Sequence, residues 1–360
     1  MALAGTRFLY LEEEILLGGQ AVLEGVMMRA PRSMAVAVRK PNGEIAILRR
    51  KITILGEKYP ILKWPVLRGA VVMIQALVLG ISSLNFSAEA AFEGIEEEER
   101  KKSGGAKGAS AQGQPALHGV SAVPAADAAP SANDPPVKAA EKAGTGATFA
   151  IVLSLVASLA VGLALFFLLP LAMTDLVKSV VPALQNSIVY NLVDGLFRIV
   201  VFLAYLYGIS LLKDIKRVFE YHGAEHKTVF AHEAGVDLSV ENVRSQSRLH
   251  PRCGTSFLLY VMVVSILVFS LLPTHLPFYV MIFPRLAMVP LIAGLSYEAI
   301  RWSARRMRQN RLARALVRPG MWLQRLTTRE PDDSQIDVAI RALREALDME
   351  RRGGLPAVPA

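Results

Sequence analysis

Four long stretches of the chain consist almost entirely of apolar residues. They are Thr148–Ala172, Ile188–Leu212, Ser256–Leu272 and Arg285–Arg301. A helix needs about 17–25 mostly apolar residues to cross a bilayer, so this pattern predicts four transmembrane helices.

The positions of lysine and arginine predict the direction of these helices, because positive charge is retained on the cytoplasmic side. Seven such residues lie in the connection Lys213–Gly254, and more follow the fourth stretch. The loops Met173–Ser187 and Pro273–Pro284 have one lysine between them. Two hairpins that start and end in the cytoplasm satisfy this distribution, so we expect both termini to be cytoplasmic.

A fifth apolar segment, Trp64–Leu84, does not fit this arrangement, because a further span would place the basic N-terminal region outside. The segment also contains Arg68 and Gln75. We therefore predict that residues 64–93 form an interfacial or buried amphipathic helix.

The N-terminal region shows the two-residue alternation of β-strands. Ser33–Lys40 and Glu44–Lys51 alternate on either side of a Pro-Asn-Gly turn, and Asn-Gly is a strong hairpin signal. Gly18–Arg29 is predicted to be a neighbouring strand. Residues 1–63 are therefore expected to be a small β-rich cytoplasmic module.

Residues 94–146 have four successive glutamates, then Gly, Ala, Ser and Pro with few large apolar side chains. Such a segment cannot bury enough surface to fold, which predicts a disordered linker. The fold class is a mainly α integral membrane protein with four transmembrane helices. The four helices belong to a membrane domain at 147–300, which includes a cytoplasmic histidine-rich connection at 213–254. A basic helical cytoplasmic tail is expected at 301–360.

Composition and charge agree with this class. Hydrophobic residues make up 52% of the chain and charged residues 20%, against about 25% charged in soluble proteins. The formal net charge of +9 comes from one block, since Arg301–Arg329 has nine arginines and no acid. Large apolar residues interleave with these arginines, which favours a helix lying on anionic lipid of the inner leaflet. They are Trp302, Leu312, Leu316 and Trp322. Nucleic acid or the ribosome is the second candidate partner, since a basic patch attracts any polyanion.

The segment HGAEH at residues 222–226 has the H-x-x-E-H pattern of a zinc protease. Residues four apart share a helix face, so His222 and His226 can bind one divalent metal ion, zinc being the first candidate. Glu225 can then serve as general base, and Glu233 is a further candidate ligand. The alternative is a polar helix face with two solvated histidines.

His250 and Cys253 form a second candidate pair directly before the third span. Imidazole and thiolate both bind zinc, and packing of the second and third spans would bring both pairs to one membrane face. Arg252 can then bind an anionic substrate or a lipid phosphate. Alternatively, Cys253 is a small buried residue and His250 an interfacial one. A single cysteine excludes an internal disulfide framework.

Three charged residues lie within the predicted spans. Asp194 and Arg198 are four apart and favour a self-neutralising pair over a proton relay. Glu298 can pair with Arg301 or reach the histidines as a ligand. Elsewhere, Glu24 is interpreted as an exposed polar position.

These segments together resemble the YqhQ-like family of uncharacterised bacterial membrane proteins, which is described as a family of predicted metal-dependent enzymes. The resemblance covers nearly all of the chain except Glu96–Gly146. Its matching segments are GGQAVLEGVMMRAP, AVRKPNGEI, FEYHGAEHKTVFAHE, HPRCGTSFLLYV, LSYEAIRW and PGMWLQRLTTREPDD. It implies a bacterial inner-membrane protein whose suspected metal residues are His222, Glu225, His226, His250 and Cys253.

Three functions are compatible with these patterns. The first is a membrane-bound, cytoplasm-facing metal-dependent enzyme, with hydrolysis as the reaction class. The second is a non-enzymatic membrane scaffold in which the histidine helix and the HPRC turn are packing elements. The third is a small transporter that uses Asp194, Arg198 and Glu298, although the spans show no inverted repeat.

Overall fold

The structure is a computed structural model of the 360-residue chain. It describes residues 17–53, 59–104, 153, 156–158, 160–271, 278–307 and 309–352. Within these residues the protein is mainly helical and has one small antiparallel sheet near the N-terminus. The expected combination of apolar helices with an N-terminal β-sheet is confirmed.

Four strands follow one another across the sheet in chain order. They are β1 (Gly18–Val22), β2 (Gly25–Arg29), β3 (Ser33–Arg39) and β4 (Ile45–Lys51). The predicted β3–β4 hairpin is confirmed. Its turn places Gly43 at φ +87°, a conformation that favours glycine.

The prediction of one strand over Gly18–Arg29 is wrong, because the chain reverses at Glu24 to form the β1–β2 hairpin. Glu24 has φ +51°, which is uncommon for a residue other than glycine. Its carboxylate accepts two hydrogen bonds of 2.5 Å from the Arg217 guanidinium and one from the Tyr221 hydroxyl. Glu24 therefore connects the sheet to a helix and is not simply an exposed polar residue.

The helices account for the predicted apolar segments after the sheet. In chain order they are α1 (Leu67–Gly104), α2 (Leu169–Lys178), α3 (Ser187–Ile209), α4 (Lys213–Glu233), α5 (Val240–Arg244), α6 (Gly254–Ser270), α7 (Phe278–Arg306), α8 (Arg311–Thr327) and α9 (Asp333–Arg352). The second, third and fourth predicted spans coincide with α3, α6 and α7. Within the described residues, α3 packs against α2 and α6, and α6 packs against α7.

Three helical stretches among the described residues are long and apolar enough to cross a membrane: Leu67–Phe92, Val156–Lys178 and Ser187–Ile209. The first belongs to α1, the second ends with α2 and the third is α3. Helix α6 is apolar but shorter.

The boundaries predicted for α1 need two corrections. The helix begins at Leu67, and it continues to Gly104 through the first part of the predicted linker. Glu, Arg and Lys are good helix formers, and extending an existing helix needs no new nucleus, so the polar run continues α1. Residues 105–146 of the predicted linker lie outside the described residues.

The sheet is covered by helices on both faces. Side chains of β2 and β3 form a core with α4, α5 and α9 on one face. On the other face, the sheet packs against Leu79, Phe86 and Ala90 of α1. The C-terminal helix thus shares a core with the N-terminal sheet, and this core surrounds α4.

Candidate metal centre

Helix α4 carries the H-x-x-E-H pattern, and its central part is buried. Every residue from Tyr221 to Val229 is buried. The helix ends at Glu233, and Gly235 follows in the left-handed region at φ +67°, a common way for a helix to end. The alternative of two solvated histidines is wrong, because the sheet and α9 cover this part of the helix.

His222, His226 and Cys253 lie together at the junction of α4 and the start of α6. Each offers one ligand atom, and these atoms all lie within 4.8 Å of one another. Nε2 of His222 is 3.2 Å from Sγ of Cys253. Zinc bonds of about 2.0 Å to nitrogen and 2.3 Å to sulfur place two ligand atoms roughly 3.5 Å apart in a tetrahedral site, which is close to the separation of the His222 and Cys253 atoms.

Two backbone carbonyl groups orient the imidazoles. Nδ1 of His222 donates a hydrogen bond of 2.7 Å to the Thr327 carbonyl, and Nδ1 of His226 donates one of 2.5 Å to the Arg248 carbonyl. Each Nε2 therefore carries the lone pair when the ring is neutral. Such a second hydrogen bond is the usual support of a metal-binding histidine.

The Nε2 atom of His226 is buried and makes no hydrogen bond of ordinary geometry among the described residues. The Cys253 side chain is close enough to interact with His226 and is the group available to it. Burial lowers the pKa of His226, because desolvation disfavours the imidazolium. The neutral ring is the form that binds metal, and a metal ion would satisfy the buried nitrogen.

Glu225 lies beside the two histidines of α4. Its Oε2 is 3.9 Å from Nε2 of both His222 and His226. Burial raises the pKa of Glu225, while the nearby His222 and His250 oppose this shift. A carboxyl group with a raised pKa beside two imidazole nitrogens is suited to accept and return a proton.

Gly19 of β1 provides the space for the Glu225 side chain. A Cβ atom at Gly19 would lie 2.5 Å from Cγ and 2.8 Å from Oε1 of Glu225, whereas one at Gly18 would meet nothing within 4 Å. Sequence reasoning did not select Gly19. The adjacent glycines at the start of a strand were the available signal, since glycine in a strand often marks a close approach.

His250, Glu233 and Arg252 lie next to the three donor residues but do not join them. Nδ1 of His250 accepts a hydrogen bond from the Arg252 backbone, and its Nε2 is 3.5 Å from Oε2 of Glu233. Glu233 also forms a salt bridge with the Arg252 side chain. The predicted ligand roles of His250 and Glu233 therefore have no support in this arrangement, and Arg252 is paired within the protein.

The turn before α6 is held by Gln324 of α8, a residue that sequence reasoning missed. Its side chain accepts a hydrogen bond from the His250 backbone nitrogen and donates one to the His250 carbonyl, both at 2.7 Å. It also donates to Ser256 at 2.9 Å. An isolated glutamine has no motif that would have identified it.

Gly223, inside the H-x-x-E-H segment, permits another close approach. A Cβ atom there would lie 2.0 Å from the Arg329 carbonyl oxygen. The chain around Arg329 also supplies the Thr327 carbonyl, which accepts a hydrogen bond from His222. The Arg329 backbone nitrogen donates a hydrogen bond to the Phe219 carbonyl at 2.8 Å. Gly223 therefore lets the segment after α8 cross α4 at the candidate site.

The charged residues of the apolar helices form ion pairs. Arg198 contacts Asp194 at 2.7 Å, which confirms the expected pair. Glu298 accepts two hydrogen bonds of 2.5 Å from the Arg68 side chain of α1. The hydrogen-bonded partner of Glu298 is therefore Arg68, while Arg301 also attracts its carboxylate. Glu298 does not belong to the group of His222, His226 and Cys253.

The chain matches the sequence family described as protein of unknown function DUF1385 over residues 64–349. It is 31% identical over 335 residues to the uncharacterized protein YqhQ of Bacillus subtilis (strain 168), and the alignment covers 92% of each chain. No solved structure shows a significant match. The resemblance to the YqhQ-like family is therefore confirmed.

Proposed function

We propose that this chain, which belongs to the DUF1385 family of proteins of unknown function, is a membrane-bound, metal-dependent enzyme facing the cytoplasm. The observation that carries the proposal is the buried group of His222, His226 and Cys253, whose three donor atoms all lie within 4.8 Å of one another. Hydrolysis is the proposed reaction class.

The three donor residues would hold a divalent metal ion, with zinc preferred because two imidazoles and one thiolate are typical zinc ligands. Three protein donors leave a coordination position open, which is the arrangement of catalytic zinc sites. When bound there, zinc would act as a Lewis acid and lower the pKa of a water molecule.

The residues around the donors have separate roles in this proposal. The carbonyls of Thr327 and Arg248 hold the two imidazoles in the tautomer that exposes Nε2. Glu225 accepts a proton from a water molecule and later returns it, and burial keeps bulk water from competing. Gly19 leaves room for this carboxylate.

The proposed membrane arrangement has four spans, in the stretches that end with α2 and at α3, α6 and α7. Helix α1 is long and apolar enough to be a fifth. Its residues Leu79, Phe86 and Ala90 pack against the sheet, however, so a spanning α1 would carry the sheet into the bilayer. We therefore keep α1 at the interface of the bacterial inner membrane, with both termini cytoplasmic.

Helix α8 supports the proposed contact with anionic lipid. One face packs on α6, while Leu312, Leu316 and Trp322 are exposed between exposed arginines. Apolar residues among arginines on one exposed surface are typical of a helix at a lipid surface. Nucleic acid remains the second candidate partner for this basic surface.

The second candidate function is a membrane scaffold. The observation that favours it is the burial of the whole site, with His226 1% and Cys253 6% exposed. A buried metal can serve to join α4, α6 and the segment after α8 without catalysis. A transporter receives less support, because Asp194 and Glu298 are each paired with an arginine.

The variant Glu225→Gln separates the enzyme from the scaffold. We expect it to bind metal and unfold as the wild type does, since Gln has the same shape, but to lose complementation of a deletion strain in bacteria. Removal of a general base costs about 10²–10⁴-fold in rate. Metal content and thermal unfolding of the purified protein are measured beside growth of the complemented strain.

Glu241→Gln is the matched control, because Glu241 is an exposed glutamate of α5. It should complement fully. Full complementation by Glu225→Gln, with metal retained, would contradict the enzyme and favour the scaffold.

A further inference from the structure

The C-terminal end of α7 and the N-terminal end of α1 line a half-open cavity of about 340 Å³. This volume lies within the range of small-ligand pockets, which is about 300–1,000 Å³. The residues that line it are Arg68, Glu298, Arg301, Trp302, Arg305 and Arg306. We call this cavity the arginine pocket. It shares no residue with the metal centre.

The arginine pocket contains more positive charge than its own acid can neutralise. Arg68 and Glu298 form a doubly hydrogen-bonded pair, so their charges compensate each other. The three other arginines share no further acid among the residues that line the pocket. The pocket therefore has an excess of three positive charges.

These charges lie close together. Arg305 and Arg68 repel Arg301, and the weaker attraction of Tyr297 and Glu298 opposes this repulsion only in part. Like charges at short range are unfavourable when water is partly excluded, unless an anion lies between them. The crowding therefore favours occupancy of the pocket by a negatively charged group.

An aromatic side chain borders the same space. The guanidinium of Arg306 lies 6.0 Å from the Trp302 ring centre, and both residues line the pocket.

We propose that the arginine pocket binds the phosphate group of an anionic ligand. Guanidinium groups match phosphate oxygens in pairs of hydrogen bonds, and one phosphate can face Arg301 and Arg305 together. The phosphate belongs either to the headgroup of a phospholipid or to a soluble phosphate compound. Trp302 and the apolar helices α1 and α7 favour the lipid source, because tryptophan is enriched at headgroup level.

The test uses the full-length protein purified in detergent. Arg301→Gln/Arg305→Gln is compared with Arg351→Gln/Arg352→Gln, which removes two exposed charges at the end of α9, outside both the pocket and the α8 surface. Retained phospholipid is measured by native mass spectrometry after addition of phosphatidylglycerol or phosphatidylcholine. A parallel arm measures thermal stabilisation by inorganic phosphate.

We expect the pocket variant to lose phosphatidylglycerol retention by about tenfold or more, because two charge-assisted contacts disappear. The α9 variant should retain it to within about threefold, since an exposed charge away from the site contributes little to binding there. Stabilisation of the wild type by inorganic phosphate without lipid retention would identify a soluble ligand.

Equal losses in both variants, or no binding in either arm, would overturn the proposal. If the double variant fails to fold, Arg305→Gln is compared with Arg352→Gln in the same way, since both residues are exposed. Loss of binding only in Arg305→Gln then supports the pocket, and equal behaviour overturns it. The metal content of each variant is measured separately. The pocket shares no residue with the metal centre, so failure of the metal proposal leaves the lipid test unaffected.

Discussion

We expect the variant His222→Ala/His226→Ala to purify without bound zinc and to unfold roughly 10 °C below the wild type when zinc is present. A ligand at about 1,000 times its Kd stabilises a protein by about 4 kcal/mol, and each kcal/mol shifts the melting temperature of a chain of this size by about 2–4 °C. The alanines also leave a cavity in a buried helix, which adds to the loss. Elemental analysis and thermal unfolding check both effects.

His232→Ala is the control for this prediction. His232 lies on the same helix, but it is only partly buried and does not belong to the donor group. It should keep the metal and most of the stability. Equal zinc content in the double variant and the wild type would contradict the metal centre, whatever happens to the melting temperature.

The second large effect is expected for Gly223→Ala, which should destabilise the protein by about 3 kcal/mol or more and lower its metal content. The new Cβ would lie 2.0 Å from the Arg329 carbonyl, and a backbone atom cannot move away as a flexible side chain can. Displacing this segment also moves the Thr327 carbonyl that orients His222. Thermal unfolding and zinc content measure the two losses.

Gly208→Ala is the matched control, since Gly208 lies within α3 and a Cβ there would meet nothing within 4 Å. Alanine is the better helix former by about 1 kcal/mol, so this variant should be neutral or stabilised. If Gly223→Ala behaves like Gly208→Ala, the close crossing of α4 by the segment after α8 is wrong.

Much of the fold could be predicted because its signals are local. The alternation around the Asn-Gly turn predicted the β3–β4 hairpin, and the long apolar runs predicted α3, α6 and α7. The β1–β2 turn was missed because it uses Glu24 at positive φ instead of a glycine, and this conformation is stabilised by Arg217 from a distant helix. Only tertiary contacts can reveal such a turn.

The candidate site was predictable in its donors but not in its surroundings. His222, His226 and Cys253 could be grouped because both segments adjoin neighbouring apolar helices. The supports at Thr327 and Arg248 are backbone carbonyls, which every residue has, so no sequence pattern marks them. The spacing of His250 and Glu233 in the sequence made them candidate ligands. In the structure, however, these two side chains contact each other and Arg252.

Helix α1 shows the limit of hydropathy. Its composition satisfies the requirements of a membrane span, while its packing against the sheet depends on residues 18–51, which precede it in the chain. A window of hydropathy cannot distinguish an apolar face that meets lipid from one that meets a β-sheet. The same reasoning missed Gly80, which faces Gln20 of β1.

The most direct test of the metal centre uses cobalt in place of zinc, because Cys253 is the single cysteine of the chain. The metal-free protein is titrated with Co²⁺, and the thiolate-to-cobalt charge-transfer absorption is recorded for the wild type and for Cys253→Ser. The account predicts one cobalt per chain with this absorption in the wild type and its loss in the variant. Substoichiometric cobalt, or stoichiometric cobalt without the thiolate absorption, would contradict it.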